Sequence, residues 1–306
     1  MRLPVKVLAP VGLVVLALFV LGVITGPLGA TFTGKEPFLP SPEVHLPAEP
    51  LFPEREHMEA MSLSSKNWSV TNTMLASWIT IALLVSFFYA ATRKMRVVPS
   101  RLQTLAELII EMLLKFVESA IGPERSRIVF PLIATIFTLV LFNAWLGILP
   151  LYSAIGFMNE EGHLSGTLLR NANTDINQPL AIALIAVITV EYWGIRAIGA
   201  RGYMGQFFNF KGLLKGRPLG VVDLFIGALE LLSHLIRILS FTFRLFGNMT
   251  AGEVLLLIVA FLVPFILAVP FYGLELLIGF MQALIFAGLT LAFGVTAMTP
   301  HEGEHS

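Results

Sequence analysis

Residues 219–263 form an apolar run of 45 residues that holds only five charged side chains, Asp223, Glu230, Arg237, Arg244 and Glu253. As an α-helix this run spans about 68 Å at 1.5 Å per residue, whereas the hydrocarbon core of a bilayer is about 30 Å thick. Such a helix must tilt steeply, kink or lie partly along the membrane plane. Arg244 stands in its middle. An arginine at bilayer depth costs at least about 3 kcal/mol and cannot escape by losing its proton. The expectation is that it faces a partner charge or a water-filled cavity on a transport pathway.

The rest of the chain has the same character. Of 306 residues, 56% are hydrophobic and 13% charged, about half the charged share of a soluble domain. The fold class expected is an all-α integral membrane protein with five to six membrane helices, plus an amphipathic helix at the interface. The last two helices, 219–263 and 268–299, are long, strongly tilted and packed on each other, with Pro264 and Pro270 at the turn. Barrel strands would read as short alternating segments, and these runs do not. The formal net charge is zero, so no global field points to nucleic acid. With no cysteine, disulfides, thiol catalysis and Cys metal sites are excluded and the redox compartment stays undetermined.

Four units follow from the pattern. Residues 1–30 are an N-terminal hydrophobic helix or a signal peptide: Arg2 and Lys6 precede an apolar run from Val7 to Leu28, and small residues at Gly29-Ala30 would permit cleavage. Residues 31–69, rich in Pro and Glu, read as an external surface segment. Residues 70–299 form the membrane-embedded core, and 300–306 a cytoplasmic tail. Within the core, spans are expected at about 70–92, 128–151 and 179–198, with a polar loop at 152–177. In 102–121 the charges Glu107, Glu111, Lys115 and Glu118 recur at helical spacing, which predicts an amphipathic interfacial helix. Basic residues cluster at 2–6, 93–101 and 196–217, and acidic ones in 31–68 and 152–177. The basic loops should therefore be cytoplasmic, which puts the C-terminus inside.

On the 219–263 helix, Glu230, Arg237, Arg244 and Ala251 are seven apart, with His234, Ser240 and Asn248 one turn from members of the series. Positions seven apart lie nearly on one face. Glu253, nine residues past Arg244, points to nearly the opposite face. On the last helix Glu275 and Gln282 are again seven apart, with Gly279 between them. In hydrocarbon these groups must be satisfied by each other, by water or by a partner protein. For Ser240, Thr242 and Thr250 interhelical glue is the better account. His234 reads first as a hydrogen-bonded packing residue and second as a proton carrier. Arg237 either snorkels or pairs with Glu230. Glue does not account for Arg244, Glu253 and Glu275, because ionisable groups are too costly for that role alone. No metal or other cofactor is expected, and His301 and His305 read as a solvated tail.

The segment Ser240-Phe-Thr-Phe-Arg244-Leu-Phe-Gly-Asn248-Met-Thr-Ala-Gly-Glu253 resembles the signature of subunit a of F-type ATP synthase. Gln282-Ala-Leu-Ile-Phe-Ala-Gly-Leu-Thr gives a second match, and Asn173-Thr-Asp175-Ile-Asn177 a weaker third. The likeness covers about residues 70–299. It implies a non-catalytic stator subunit whose two tilted helices pack against a rotating ring of c subunits, each with one membrane-embedded carboxylate. Arg244 matches the family's essential arginine, which keeps the facing ring carboxylate ionised and blocks leakage between two half-channels. Glu253, Glu275 and Gln282 match positions near the arginine and the outer half-channel. Asn173 and Asp175 match its entrance, Glu230 the cytoplasmic exit, and Asn248 the position one turn from the arginine. Peripheral-stalk b subunits and membrane lipid are the other implied partners, with the 102–121 helix expected to meet the stalk. The expected site is the bacterial plasma membrane, with an energy-transducing organelle membrane as the alternative, and the expected ion is a proton. Some bacterial members carry histidine where this chain has Glu275, and the run before residue 31 is additional to the usual core.

No Gly-rich phosphate loop followed by Lys and Ser or Thr is present, so direct nucleotide binding is not expected. A self-contained secondary transporter would show internal repeats around a midplane site, and none is evident. A purely structural anchor leaves Arg244 unexplained.

Overall fold

The computed structural model describes residues 5–34, 36–39, 41, 48, 70–149, 155–158, 164–199, 203 and 219–298. The 300–306 tail, most of the 31–69 surface segment and nearly all of the basic loop beyond Gly199 lie outside the described residues.

The described residues form α1 (Val5–Thr25), α2 (Pro27–Thr33), α3 (Asn72–Thr92), α4 (Arg101–Ile121), α5 (Pro123–Gly147), β1 (Gly156–Met158) and β2 (Leu164–Thr167). A 3-10 turn (Ala172–Thr174), α6 (Asn177–Ile198), α7 (Leu219–Leu262) and α8 (Ala268–Met298) complete the order. The protein is an all-α integral membrane protein. Helices α3, α5, α6, α8 and the Phe225–Leu262 part of α7 are long and apolar enough to cross a membrane. Helix α7 has 44 residues and α8 has 31, roughly 66 and 46 Å, so both exceed an upright crossing.

Two regions depart from the sequence reading. The first apolar run does not continue to Leu28 as one helix. Gly26 is extended, with ψ 178°, and Pro27 opens α2, where the missing N–H of proline costs nothing. The 152–177 stretch, read as a loop, contains the antiparallel β1–β2 ribbon, bulged between Phe157 and Met158. Its strands are too short for alternation to be legible.

The core lies between α5 and α8. Val129, Ile133, Phe137, Val140 and Ala144 recur at three- and four-residue spacing on α5 and are at most 1% exposed. They meet Ala283, Phe286, Ala287 and Leu291 of α8. In lipid this association rests on close van der Waals packing and not on water exclusion. Gly279 shows the tightness, since a Cβ there would stand 2.8 Å from the Ala144 Cβ. Helix α6 packs on both α7 and α8.

Helix α4 is capped by the Ser100 hydroxyl, which accepts from the Gln103 N–H at 3.3 Å. It buries Gln103, Ala106, Leu113 and Val117, while Glu111 and Lys115 pair at 2.6 Å on its outer face.

The N-terminal helix is docked on the turn between α7 and α8. A Cβ at Gly22 would meet the Pro264 carbonyl, and one at Gly26 the Leu262 carbonyl. The Phe38 N–H donates to the Thr25 carbonyl at 2.9 Å, and the Phe38 ring lies 5.4 Å from that of Phe265. Phe265 has φ 79°, in the left-handed region that side chains rarely occupy.

Candidate functional site

Arg244 lies on an exposed face of α7 with Ser240, Asn248 and Ala251. Leu232, Ile236, Phe243, Leu255 and Ile258 continue that face, all 37–55% exposed. The opposite side of α7 holds Phe241, Leu245 and Met249 in the core. The polar line predicted from seven-residue spacing therefore divides. Glu230, His234 and Arg237 are half-buried, and the Arg237 guanidinium sits over the Phe293 ring of α8 at 3.7 Å. Phe241 also packs on Phe293, at 5.9 Å between centroids. Seven residues fall about 20° short of two full turns, so a heptad line drifts around a straight helix.

Two polar clusters flank Arg244 along α7. The first is built around Glu253, nine residues on, or about 14 Å along the axis. Glu253 turns away from the exposed face and pairs with Arg170 at 3.3 Å. The two carry side-chain exposures of 34% and 9%, so one end of the pair reaches a cavity. That cavity measures about 240 Å³ and is lined by Arg170, Asn171, Met249, Glu253, Tyr272 and Glu275 among others. Glu275 is 4% exposed, and its carboxyl group occupies the space where a Cβ of residue 252 would stand. Glycine at 252 is thus what admits the Glu275 carboxyl between α7 and α8.

Asn171 lines this cavity, and Asn173 and Asp175 follow it along the same segment. Asn173 is fully buried. Its N–H donates to Asn171 Oδ1 at 3.0 Å, and its side-chain amide to the Val140 carbonyl at 3.4 Å. Asn173 Oδ1 and Asn143 Nδ2 have no protein partner among the described residues. Buried groups of this kind are ordinarily satisfied by water. Asp175 accepts from the Thr73 hydroxyl of α3 at 2.8 Å and from the Asn177 N–H at 3.1 Å. It therefore fastens the start of α6 to α3. Gln282 is buried on α8, two turns from Glu275.

The second cluster lies on the other side of Arg244. His234, ten residues back or about 15 Å along α7, pairs through Nδ1 with Glu191 Oε1 of α6. The Tyr203 hydroxyl donates to Glu191 Oε2. Arg237 and Glu230 lie near enough to act on Tyr203 electrostatically. Burial, first, and then the Glu191 carboxylate push the Tyr203 phenol up from its ordinary value, so it stays protonated and donates.

Of the nine residues singled out in the sequence, Glu253 and Glu275 share the cavity wall, with Asn173 and Asp175 following Asn171 along the same segment. His234 and Glu230 lie at the far end, and Arg244 with Asn248 is on the exposed face between the two. Gln282 is buried on α8. Three participants were missed. Glu191 is the only acidic residue of α6, and the rule that flags Arg244, an ionisable group inside an apolar span, applies equally to it. Arg170 precedes Asn171-Ala-Asn-Thr-Asp and carried no periodic signal. Tyr203 reaches the cluster only through the fold. Among the described residues no three His, Asp or Glu side chains gather as a metal site.

A family model for the ATP synthase A chain matches residues 74–294. The chain is 35% identical over 233 residues to ATP synthase subunit a of Gloeobacter violaceus, covering 76% of this chain and 86% of that one. It is 30% identical over 269 residues to the subunit a of Desulforamulus reducens, covering 84% and 88%. With the subunit a of Mycobacterium bovis it shares 33% over 240 residues, covering 78% and 89%.

Proposed function

The chain belongs to the ATP synthase A chain family, that of F-type ATP synthase subunit a, and from that premise we propose that its two polar clusters are two half-channels meeting at Arg244. The exposed face of α7 is the surface that receives the ring of c subunits. It is apolar except for Ser233, Ser240, Arg244 and Asn248, as suits a partner that presents one carboxylate in an apolar wall. Arginine keeps its charge at any physiological pH, so it favours the ionised form of the carboxylate opposite it. A ring carboxylate can give up its proton on approach but cannot carry one past Arg244.

The Glu253–Glu275 cavity with Asn171, Asn173 and Asp175 is the outer half-channel. The Glu191–His234–Glu230 end is the cytoplasmic one, in agreement with the basic loops expected on that side. Protons enter from outside, neutralise a ring carboxylate, ride the ring and leave to the cytoplasm. This coupled flow drives the ring, while ATP chemistry takes place in other subunits. The subunit works in the bacterial plasma membrane, with its C-terminus cytoplasmic and peripheral-stalk b chains holding it still.

The observation that carries this reading is the position of Arg244. Among the described residues it is the charged side chain exposed on that helix face, between two separate polar clusters. Replacing Arg244 by Ala in the assembled complex should abolish ATP-driven proton pumping in membrane vesicles while leaving assembly intact. Arg244→Lys should fail almost as completely, because an ammonium is a differently shaped and more strongly hydrated charge. Normal pumping by Arg244→Ala would overturn the reading.

A further inference from the structure

Glu191 is a carboxylate inside a membrane helix, and the family resemblance assigns it no part. It lies fourteen residues into α6, about 21 Å from the start of that helix. Its two oxygens are engaged in different directions, Oε1 by His234 of α7 and Oε2 by Tyr203. The His234 and Glu191 side chains are 17% and 25% exposed, and Tyr203 is 5% exposed. The pair is therefore mostly buried, with an exposed edge.

The backbone is shaped to allow it. Tyr203 follows α6, and its N–H donates to the Gly199 carbonyl at 3.0 Å. Its ring lies against Gly194, where a Cβ would stand 2.6 Å from Tyr203 Cε2 and 3.2 Å from the Ala297 carbonyl of α8. A larger residue at 194 would push the phenol off Glu191. Interhelical glue requires one hydrogen bond. Here an acid, an imidazole and a phenol from three segments converge at the end of α7 that leads away from Arg244.

We propose that Glu191, His234 and Tyr203 form a proton relay that joins the cytoplasmic surface to the ring carboxylate. The relay rests on the two-half-channel reading above. In the synthesis direction a proton released by the ring carboxyl reaches the His234 imidazole and forms an N–H bond. The imidazolium is held against the Glu191 carboxylate. That N–H bond then breaks, the proton passes to cytoplasmic water, and neutral imidazole is regenerated with no change in electron count. Tyr203 stays protonated and positions Glu191. Histidine suits the task because an imidazole can both accept and donate a proton. The charged or titratable groups around the pair are Tyr203 after α6 and Glu230 and Arg237 on α7. Arg196 of α6 turns instead to the Tyr192 hydroxyl, and α8 carries no titratable side chain from Gln282 to Met298.

The test uses the whole ATP synthase in inverted vesicles, whose bath contacts the cytoplasmic face. ATP-driven pumping is followed from about pH 6 to about pH 9 in the bath, with assembled complex quantified in parallel. In Glu191→Gln, proton capture from the bath becomes limiting, so pumping should fall with rising pH by up to about tenfold per unit. The parent should hold a plateau over that range, and Glu191→Asp should recover much of it. Should Glu191→Gln fail to assemble, His234→Gln gives the same reading and should show the same steep profile. A profile parallel to the parent's, whether at full rate or uniformly reduced, would overturn the relay. Arg244→Ala is run beside these variants. If it is inactive and Glu191→Gln behaves as the parent, only the relay falls; if Arg244→Ala pumps normally, the half-channel reading falls as well.

Discussion

Gly252 and Glu275 show how one missing side chain can place another. The Glu275 carboxyl fills the space a Cβ would take, and a carboxyl at the end of a flexible side chain can move aside. Gly252→Ala should therefore assemble normally yet displace the acid from the cavity wall. Proton pumping should fall several-fold with little change in thermal stability, as seen by comparing vesicle assays with melting of the purified complex. Arg170 and Glu253 should behave differently. Removing one member of a largely buried pair leaves the other charge uncompensated. Arg170→Met should lower the stability of the complex by about 2 kcal/mol, and adding Glu253→Gln should restore most of it. At this scale the sequence shows which groups are costly in lipid but not which of them meet. Arg237, Arg244 and Glu191 were equally visible as ionisable groups in apolar runs. Only the fold turns Arg237 onto Phe293, leaves Arg244 facing outward and brings Glu191 to His234.

At the level of elements, helices were well legible and their junctions were not. The charge spacing of 102–121 and the lengths of the apolar runs place α3 to α8 within a few residues of their observed ends. For α5 the expected start at 128 was late, because the charged Pro123-Glu-Arg-Ser-Arg opening reads as a loop although proline suits the first helical turn. The break at Gly26 follows a local Gly26-Pro27 signal that the apolar run masked, and the β1–β2 strands are too short for alternation to show. Docking of α1 depends on the small faces of Gly22 and Gly26 against the Pro264 turn. Gly22→Val should force α1 off the turn. With single cysteines introduced at Phe38→Cys and Phe265→Cys, whose rings lie 5.4 Å apart, in this cysteine-free chain, disulfide cross-linking between the two should be lost in the Gly22→Val background. Cross-linking that persists at the parental yield would show that α1 does not depend on that contact.

For the molecule as a whole, the arrangement is one long helix with different chemistry at three heights. Its exposed middle carries a permanent positive charge, and its two ends turn half-buried acids toward α6 on one side and toward α8 and the Arg170 segment on the other. The length of α7 gives the clusters an axial separation of about 29 Å between His234 and Glu253, comparable to the hydrocarbon thickness. On the proposed two-half-channel reading a continuous pore is unnecessary: each cluster would need access to one aqueous phase only, and a ring of c subunits would close the circuit.

That claim is best tested by the sidedness of water access. With no native cysteine, Asn171→Cys and Glu230→Cys can be introduced singly into the assembled complex and challenged with a membrane-impermeant thiol reagent. Right-side-out and inverted vesicles are compared. The account predicts that Asn171→Cys reacts only from the outer face and Glu230→Cys only from the cytoplasmic face. Labelling of both positions from the same side would contradict it.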